Sequence, residues 1–305
     1  MDKLNRNTFA GAAFVAFAAI LWGFDGVFLT PRLSNLDVVF VVFILHLLPF
    51  LLMNPFYFKN YSYLKRFTKQ DYIWFLLIAL TGGAVGTIAI VKALFLIRFQ
   101  AFSVVILLQK LQPVFAIFLA FIILKEKPHR DFYPYAALAL VASYFLTFGF
   151  HVPKLVEDKE GIYAMLLSLL AAFSFGASTV FSRKVLNKFP FQLSTFFRYG
   201  FSALVLFVFW ILMGDKMAFE KVSKLNWLFI LIISFTTGSG AIFIYYYGLK
   251  KIRASIATIA ELMFPVSAII FDYLLNDKIL SPVQWISALV LILAIVKISL
   301  PSKRK

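Results

Sequence analysis

SVVILLQKLQPVFAI, residues 103–117, and SIATIAELMFPVSAI, residues 255–269, decide how this chain is built. They stand 152 positions apart, and at that spacing Ser103 falls on Ser255, Pro113 on Pro265, Val114 on Val266, Ala116 on Ala268 and Ile117 on Ile269. A proline inside an apolar run is costly to a helix, so its recurrence in register with the same neighbours marks an internal repeat. The same shift carries Gly86 onto Gly238, Ala136 onto Ala288 and Ala142 onto Ala294 without a gap. The chain of 305 residues therefore reads as two units, 1–152 and 153–305.

Around these stretches the composition is that of a chain living in lipid. Hydrophobic residues make up 62% and charged residues 14%, against about 25% charge in soluble domains. Apolar windows fall near 9–29, 36–57, 72–96, 100–123 and 131–150, and again near 161–182, 191–213, 226–248, 254–275 and 282–300. Each is long enough for a spanning helix of about 20 residues. The expected fold is an all-α membrane protein of ten transmembrane helices. Five is an odd number, so the second unit enters the membrane upside down, and the fold becomes two inverted five-helix repeats. Lys and Arg crowd alternate loops: eighteen lie on the side of both termini, including Lys59, Lys65, Arg66, Lys125, Arg183, Lys250 and Lys305. Eight lie on the other side: Arg32, Arg98, Lys154, Lys159, Lys216, Lys221, Lys224 and Lys278. The positive-inside rule then puts both termini in the cytoplasm.

Several functions are excluded by what the sequence lacks. There is no Cys, and His46, His129 and His151 are too scattered for a zinc site, so neither a metal nor a cofactor is expected. The net charge of +16 sits in loops rather than on one phosphate-tracking face, which excludes nucleic acid as a partner. No Gly-rich Walker loop is present, so energy would come from gradients. No nucleophile, base and orienting acid recur at close spacing, as an enzyme would need. The apolar run from Phe9 to Leu29 is too long for a signal-peptide core and reads as a retained first helix. Inverted repeats are the build of many secondary transporters, whose halves exchange inward-open and outward-open shapes around a midplane site. The partners expected are the bilayer and a small-molecule substrate; nothing sets an oligomeric state.

Trp22-Gly23 late in the first window, Leu111-Gln112-Pro113-Val114-Phe115-Ala116 leading to Leu124-Lys125-Glu126, and Phe264-Pro265-Val266 leading to Leu275-Asn276-Asp277 are short motifs in matching places of two repeats. With Arg198 in the seventh window, their order resembles the drug/metabolite transporter superfamily, in its ten-span EamA-type branch. The sequence departs from that pattern at His46, where an Arg is common, and at Asn276-Asp277, which replaces a Gly-Glu ending. The resemblance implies a solute carrier, often an exporter of amino acids or related metabolites, with a central cavity between the halves. It also points to a bacterial plasma (inner) membrane. A polytopic enzyme, or a passive channel or scaffold, is the alternative.

Polar residues inside spans usually face the bundle or a wet cavity, because a charge at the bilayer centre costs a few kcal/mol on insertion scales. At about 1.5 Å per residue, Lys110 and His46 fall near the midplane and Glu261 and Arg198 within about 6 Å of it. Glu261 lies one turn before Pro265, which should leave a carbonyl of that turn free. It is expected to bind a substrate amine or carry a coupling proton, or else to form a structural ion pair with Lys110. Gln109, its repeat mate, sits beside Lys110. Arg198 and His46 are repeat mates too, expected to hold helix contacts or touch solute. Lys92, Lys297 and Asp25 are expected to anchor at the interfaces. Trp22, Phe175 and Tyr245 to Tyr247 are candidates for an aromatic wall. Gly82, Gly83, Gly86, Gly238 and Gly240 read as close-packing positions that also let helices slide, while Pro113 and Pro265 read as hinge positions.

Overall fold

The computed structural model of the chain describes residues 3–97, 102–151, 159–277 and 279–300. Arg98, Lys154, Lys278, Lys303, Arg304 and Lys305 from the loop-charge reading lie outside the described residues, as do the side chains of Lys3 and Ser103. Among the described residues there is no strand. Ten helical crossings follow one another: α1 (Arg6–Leu33), α2 (Val38–Arg66), α3 (Lys69–Leu96), α4 (Val105–Ile123), α5 (Phe132–Phe148), α6 (Lys159–Leu186), α7 (Phe191–Met213), α8 (Lys224–Leu249), α9 (Ala254–Asn276) and α10 (Pro282–Ser299). Nine are at least 18 residues long; α5, with 17, spans about 26 Å at 1.5 Å per residue. Their outer faces carry exposed apolar side chains such as Phe118, Leu212, Leu274 and Ile286, as a lipid-facing surface requires.

The repeats are interlocked rather than set side by side. α1 packs on α8 and α9 of the second repeat, and α6 packs on α3 and α4 of the first; α2 pairs with α7 and α5 with α10. Each contact thus recurs with the two repeats exchanged, the pattern of a pseudo-twofold axis. The largest apolar cluster accordingly mixes both halves, joining Val15 and Ala18 of α1 to Tyr246 and Leu249 of α8, Ala260 of α9 and Leu291 of α10.

Helices in lipid gain little from apolar burial against one another, so close backbone approach has to hold them. Two glycines supply it at symmetry-related places. A Cβ on Gly23 of α1 would sit 2.9 Å from Ala268 N and 3.0 Å from Phe264 O, besides striking Ser267. A Cβ on Gly176 of α6 would sit 3.0 Å from Ala116 N and 2.9 Å from Gln112 O. Ala116 and Gln112 are the repeat mates of Ala268 and Phe264, so one contact is written twice. The C-termini of α4 and α9 repeat in the same way: Lys125 and Asp277, also 152 apart, both take φ of 54°, the left-handed conformation that ends a helix.

The ungapped shift does not hold everywhere. The capping boxes that open α3 and α8, Thr68 with Asp71 and Ser223 with Asn226, stand 155 apart, and α5 and α10 begin 150 apart. Loop lengths absorbed these differences while the paired helices around Pro113 and Pro265 kept their register. The glycines divide too. Cβ atoms on Gly86, Gly238 and Gly240 would each meet a carbonyl of their own helix, Thr81, Ile233 and Phe235, but only Gly86 also faces another helix, at the Phe175 ring of α6. The other two accommodate a local widening of α8 rather than a helix contact.

Gly23→Ala and Gly176→Ala should each lower the unfolding free energy by about 1–3 kcal/mol, the usual cost of overpacking. Thermal unfolding of the detergent-solubilised protein measures it, with Gly26→Ala, whose nearest neighbour is a Phe264 ring atom at 3.7 Å, as the tolerant control.

Candidate functional site

Five interruptions of helical geometry surround one space. α1 widens into a π-turn at Asp25–Leu29, α3 at Ala79–Val85 and α8 at Ser234–Gly238. α4 and α9 each break once, between Gln109 and Gln112 and between Ala260 and Met263, just before their prolines. The sequence leads one to expect a free carbonyl before Pro265. Instead the Glu261 carbonyl accepts Phe264 N–H at 3.0 Å, because the break tightens into a 3₁₀ turn; the break of α4 holds a 3₁₀ bond as well, from Leu111 N–H to the Leu108 carbonyl at 3.1 Å. The break therefore turns side chains inward rather than offering backbone.

Between these segments lies a cavity of about 280 Å³ lined by α1 to α4 and α6 to α9; α5 and α10 contribute nothing to it. Trp22, His46, Gln109, Lys110, Arg198, Tyr245, Glu261 and Gly238, all singled out in the sequence, line it together. Pro113, Pro265 and Gly86 do not; they stand at the breaks behind the wall. Trp22 and Tyr245 meet at 5.4 Å between ring centroids, and Phe175 and Phe264 extend the aromatic surface. Tyr246 and Tyr247 fall outside the lining: Tyr246 is fully buried below it, and Tyr247 packs on Phe14 and Phe191.

Glu261 is a hub. Tyr245 donates to Oε1 at 2.7 Å, the Gln112 amide donates to Oε2, and Thr179 Oγ1 lies 2.9 Å from the Tyr245 hydroxyl and 3.3 Å from Oε1. One carboxylate so ties α4, α6, α8 and α9, drawing on both repeats. An ion pair with Lys110 does not form: the ion pairs among the described residues are His129–Asp131, Lys188–Asp71 and Lys221–Asp215. Lys110, 7% exposed, instead places Nζ 3.6 Å above the Phe264 ring. The donor that α4 sends to Glu261 is Gln112 rather than Gln109 or Lys110.

Arg198 donates from Nη1 to the Tyr246 hydroxyl at 3.2 Å, and that hydroxyl shares a 2.6 Å bond with Ser182. His46 is held by a 2.8 Å bond from Nδ1–H to the Val42 carbonyl and meets the Tyr199 ring at a tilt, 5.6 Å between centroids. Gly82 is small because Ser178 and Arg198 Nη2 occupy the space beside it. Lys92 and Lys297 are exposed on the bundle's outside, as anchoring residues are. Asp25 is not an anchor: it lines the cavity, with Oδ1 buried and unpartnered. Sequence reasoning placed Asp25 at the interface and did not single out Gln112, Thr179 or Phe264 as site residues. Two signals mark them: an acid inside a span, and a polar residue beside an intramembrane proline.

The cavity extends away from the side where α1 begins and α10 ends. Its lining begins at Trp22 in α1, ends at His46 in α2 and starts at Gly82 in α3, so it extends only toward the far ends of those helices, as far as Leu33 and Phe95. Beneath it the halves are bonded together. Glu126 at the end of α4 accepts Ala254 N–H at 2.8 Å, Ser255 N–H at 3.1 Å and the Ser255 hydroxyl at 2.7 Å, capping α9 across the repeat boundary. Arg253 donates to the Lys127 carbonyl at 3.0 Å, and Lys188 meets Asp71 at 2.5 Å. At the far end Asn226 bonds the Arg32 carbonyl and Asn35.

The EamA-like transporter family matches this chain twice, over residues 9–148 and 162–300. A protein of Fusobacterium nucleatum subsp. nucleatum named riboflavin transporter ImpX is 48% identical over 294 residues, covering 96% of this chain and 98% of that one. A crystal structure of a protein 14% identical in sequence shares the fold, with a TM-score of 0.62 over 96% of this chain and 94% of the other.

Tyr245→Phe removes the shorter of the two bonds to Glu261 Oε1. The unfolding free energy should fall by about 1–3 kcal/mol, the cost of under-satisfying a buried carboxylate, as read from thermal unfolding in detergent.

Proposed function

The chain belongs to the EamA-like transporter family, and from that premise we propose that it carries riboflavin across a bacterial plasma membrane by alternating exposure of the cavity between its repeats. A small-molecule transporter of the membrane, not an enzyme, is what the family and the relative make it. The observation that carries the choice of substrate is the 48% identity to a riboflavin transporter over 96% of the chain. The cavity suits it: aromatic faces at Trp22, Tyr245 and Phe264 match a planar isoalloxazine ring, and polar groups at Gln109, Lys110, Arg198 and Asp25 match its carbonyl edge and ribityl hydroxyls. This substrate takes the place of the amino acid that the resemblance suggested.

The two halves, 1–152 and 153–305, are the moving units of this reading. The bonds from Glu126, Arg253 and Lys188 form the gate on the side of the termini, which loop charge assigns to the cytoplasm. The structure is then an outward-facing state, and exchange of the pseudo-symmetric halves gives the inward-facing one. Transport is secondary, and its direction, export or import, follows the gradient. Glu261 couples it to protons, because a proton on this carboxylate removes its charge, turns one acceptor site into a donor and so weakens and reorders its bonds to Tyr245, Gln112 and Thr179.

Reconstituted in liposomes, the protein should accumulate radiolabelled riboflavin, and an imposed pH gradient should change the rate several-fold in the native protein but not in Glu261→Gln. No flux of riboflavin above protein-free liposomes would overturn the substrate; equal gradient sensitivity in the variant would overturn the coupling. The absence of native Cys permits a cleaner test of the gate. A cysteine placed by Ala257→Cys, at a position now fully buried, should react with a membrane-impermeant thiol reagent from the termini side several-fold faster once Glu126→Ala removes the cap.

A further inference from the structure

Most polar groups of the bundle are bonded to one another; of the buried side-chain atoms left without a partner among the described residues, several line the cavity, while others, such as the Ser143 and Thr258 hydroxyls, lie outside its lining. Gln109 Oε1, Arg198 Nε and Asp25 Oδ1 are buried there without a hydrogen-bond partner among the described residues. Lys110, more than nine-tenths buried, has neither a carboxylate within 4 Å nor an acceptor for its ammonium, only the Phe264 ring. Glu261, by contrast, has its oxygens occupied by Tyr245, Gln112 and Thr179. In the broken turn of α4 an unbonded amide acceptor and a cationic donor follow one another in sequence.

An adjacent acceptor and donor complement an adjacent N–H and C=O. We infer that Gln109 and Lys110 are the specificity-determining pair of the cavity and read the imide edge of a flavin, Gln109 Oε1 accepting from the ring N3–H and Lys110 Nζ donating to the neighbouring carbonyl oxygen. This rests on the riboflavin reading and adds to it which edge of the ring is recognised. A neutral acceptor and a cation placed together discriminate strongly, since a ligand lacking the matching N–H leaves Gln109 buried and unbonded. The Phe264 ring under Lys110 fixes the ammonium, so the donor is positioned before the ligand arrives. Trp22 and Tyr245 supply the stacking surface that every isoalloxazine shares, so they distinguish flavins from one another far less than the turn does.

The test is flavin binding by the full chain in detergent or nanodiscs, followed by quenching of flavin fluorescence. Riboflavin and lumiflavin, which keeps the imide and lacks the ribityl chain, should both bind, and 3-methylriboflavin should bind roughly tenfold more weakly, the size of one hydrogen bond in affinity. Gln109→Leu should weaken riboflavin about tenfold and leave 3-methylriboflavin unchanged, so that the discrimination disappears. Lys110→Met should weaken both. The comparison of analogues on the unmodified protein stands even if a variant fails to fold. Riboflavin bound no better than 3-methylriboflavin by the native protein would overturn the assignment of the turn while leaving the transport reading intact. No binding of riboflavin would overturn both.

Discussion

In the hydrocarbon of a bilayer every backbone N–H and C=O must find its partner inside the protein, because there is no water to take it. That constraint explains where this chain allows itself to be irregular. The π-turns of α1, α3 and α8 and the broken turns of α4 and α9 each contribute cavity-lining residues: Asp25, Gly82, Thr237, Lys110 and Glu261. Around them the outer faces present apolar side chains to lipid. These five departures from the i to i−4 ladder lie where neighbouring helices cover them, and they bring polar side chains into one space.

The polar groups gathered there divide into structural and available ones. Glu261, Tyr245, Thr179 and Gln112 hold four helices from two repeats at one point, an arrangement in which every member depends on the others for its partner. Arg198 leans on Tyr246 and Ser182 in the same spirit. Gln109, Lys110 and Asp25 are held in place but not used up. A carrier needs both kinds: a network able to break and re-form as the halves move, and a set of groups whose bonding is completed only by the cargo.

Much of the fold was legible because lipid imposes a coarse code. Apolar windows gave the ten helices within a few residues, and the recurrence of Pro113 at Pro265 located the pair of broken helices. The register of the repeat was only locally readable, since loops drifted by a few residues while buried helix pairs did not. The site was half legible. Depth along a helix put Glu261, Lys110, His46 and Arg198 at the right level, but depth carries no azimuth, and a 3₁₀ turn before each proline re-aims the side chains. Hence the pairing of Glu261 with Lys110 failed, Gln112 went unseen, and Asp25 was assigned to the interface when a π-turn rotates it inward. The contact of Gly23 and Gly176 with backbone of the opposite half could not be read from either glycine alone.

The exchange of first helices between the repeats bears on how the protein is made. As the chain leaves the ribosome, α1 enters the bilayer with its binding faces, α8 and α9, some two hundred residues from being synthesised. Its small-residue stripe, Gly11, Ala18 and Gly23, must wait against lipid or a chaperone-like neighbour, while α6 finds α3 and α4 already in place. Assembly is thus lopsided in time although the finished fold is symmetric, and the N-terminal half cannot mature as a free-standing body.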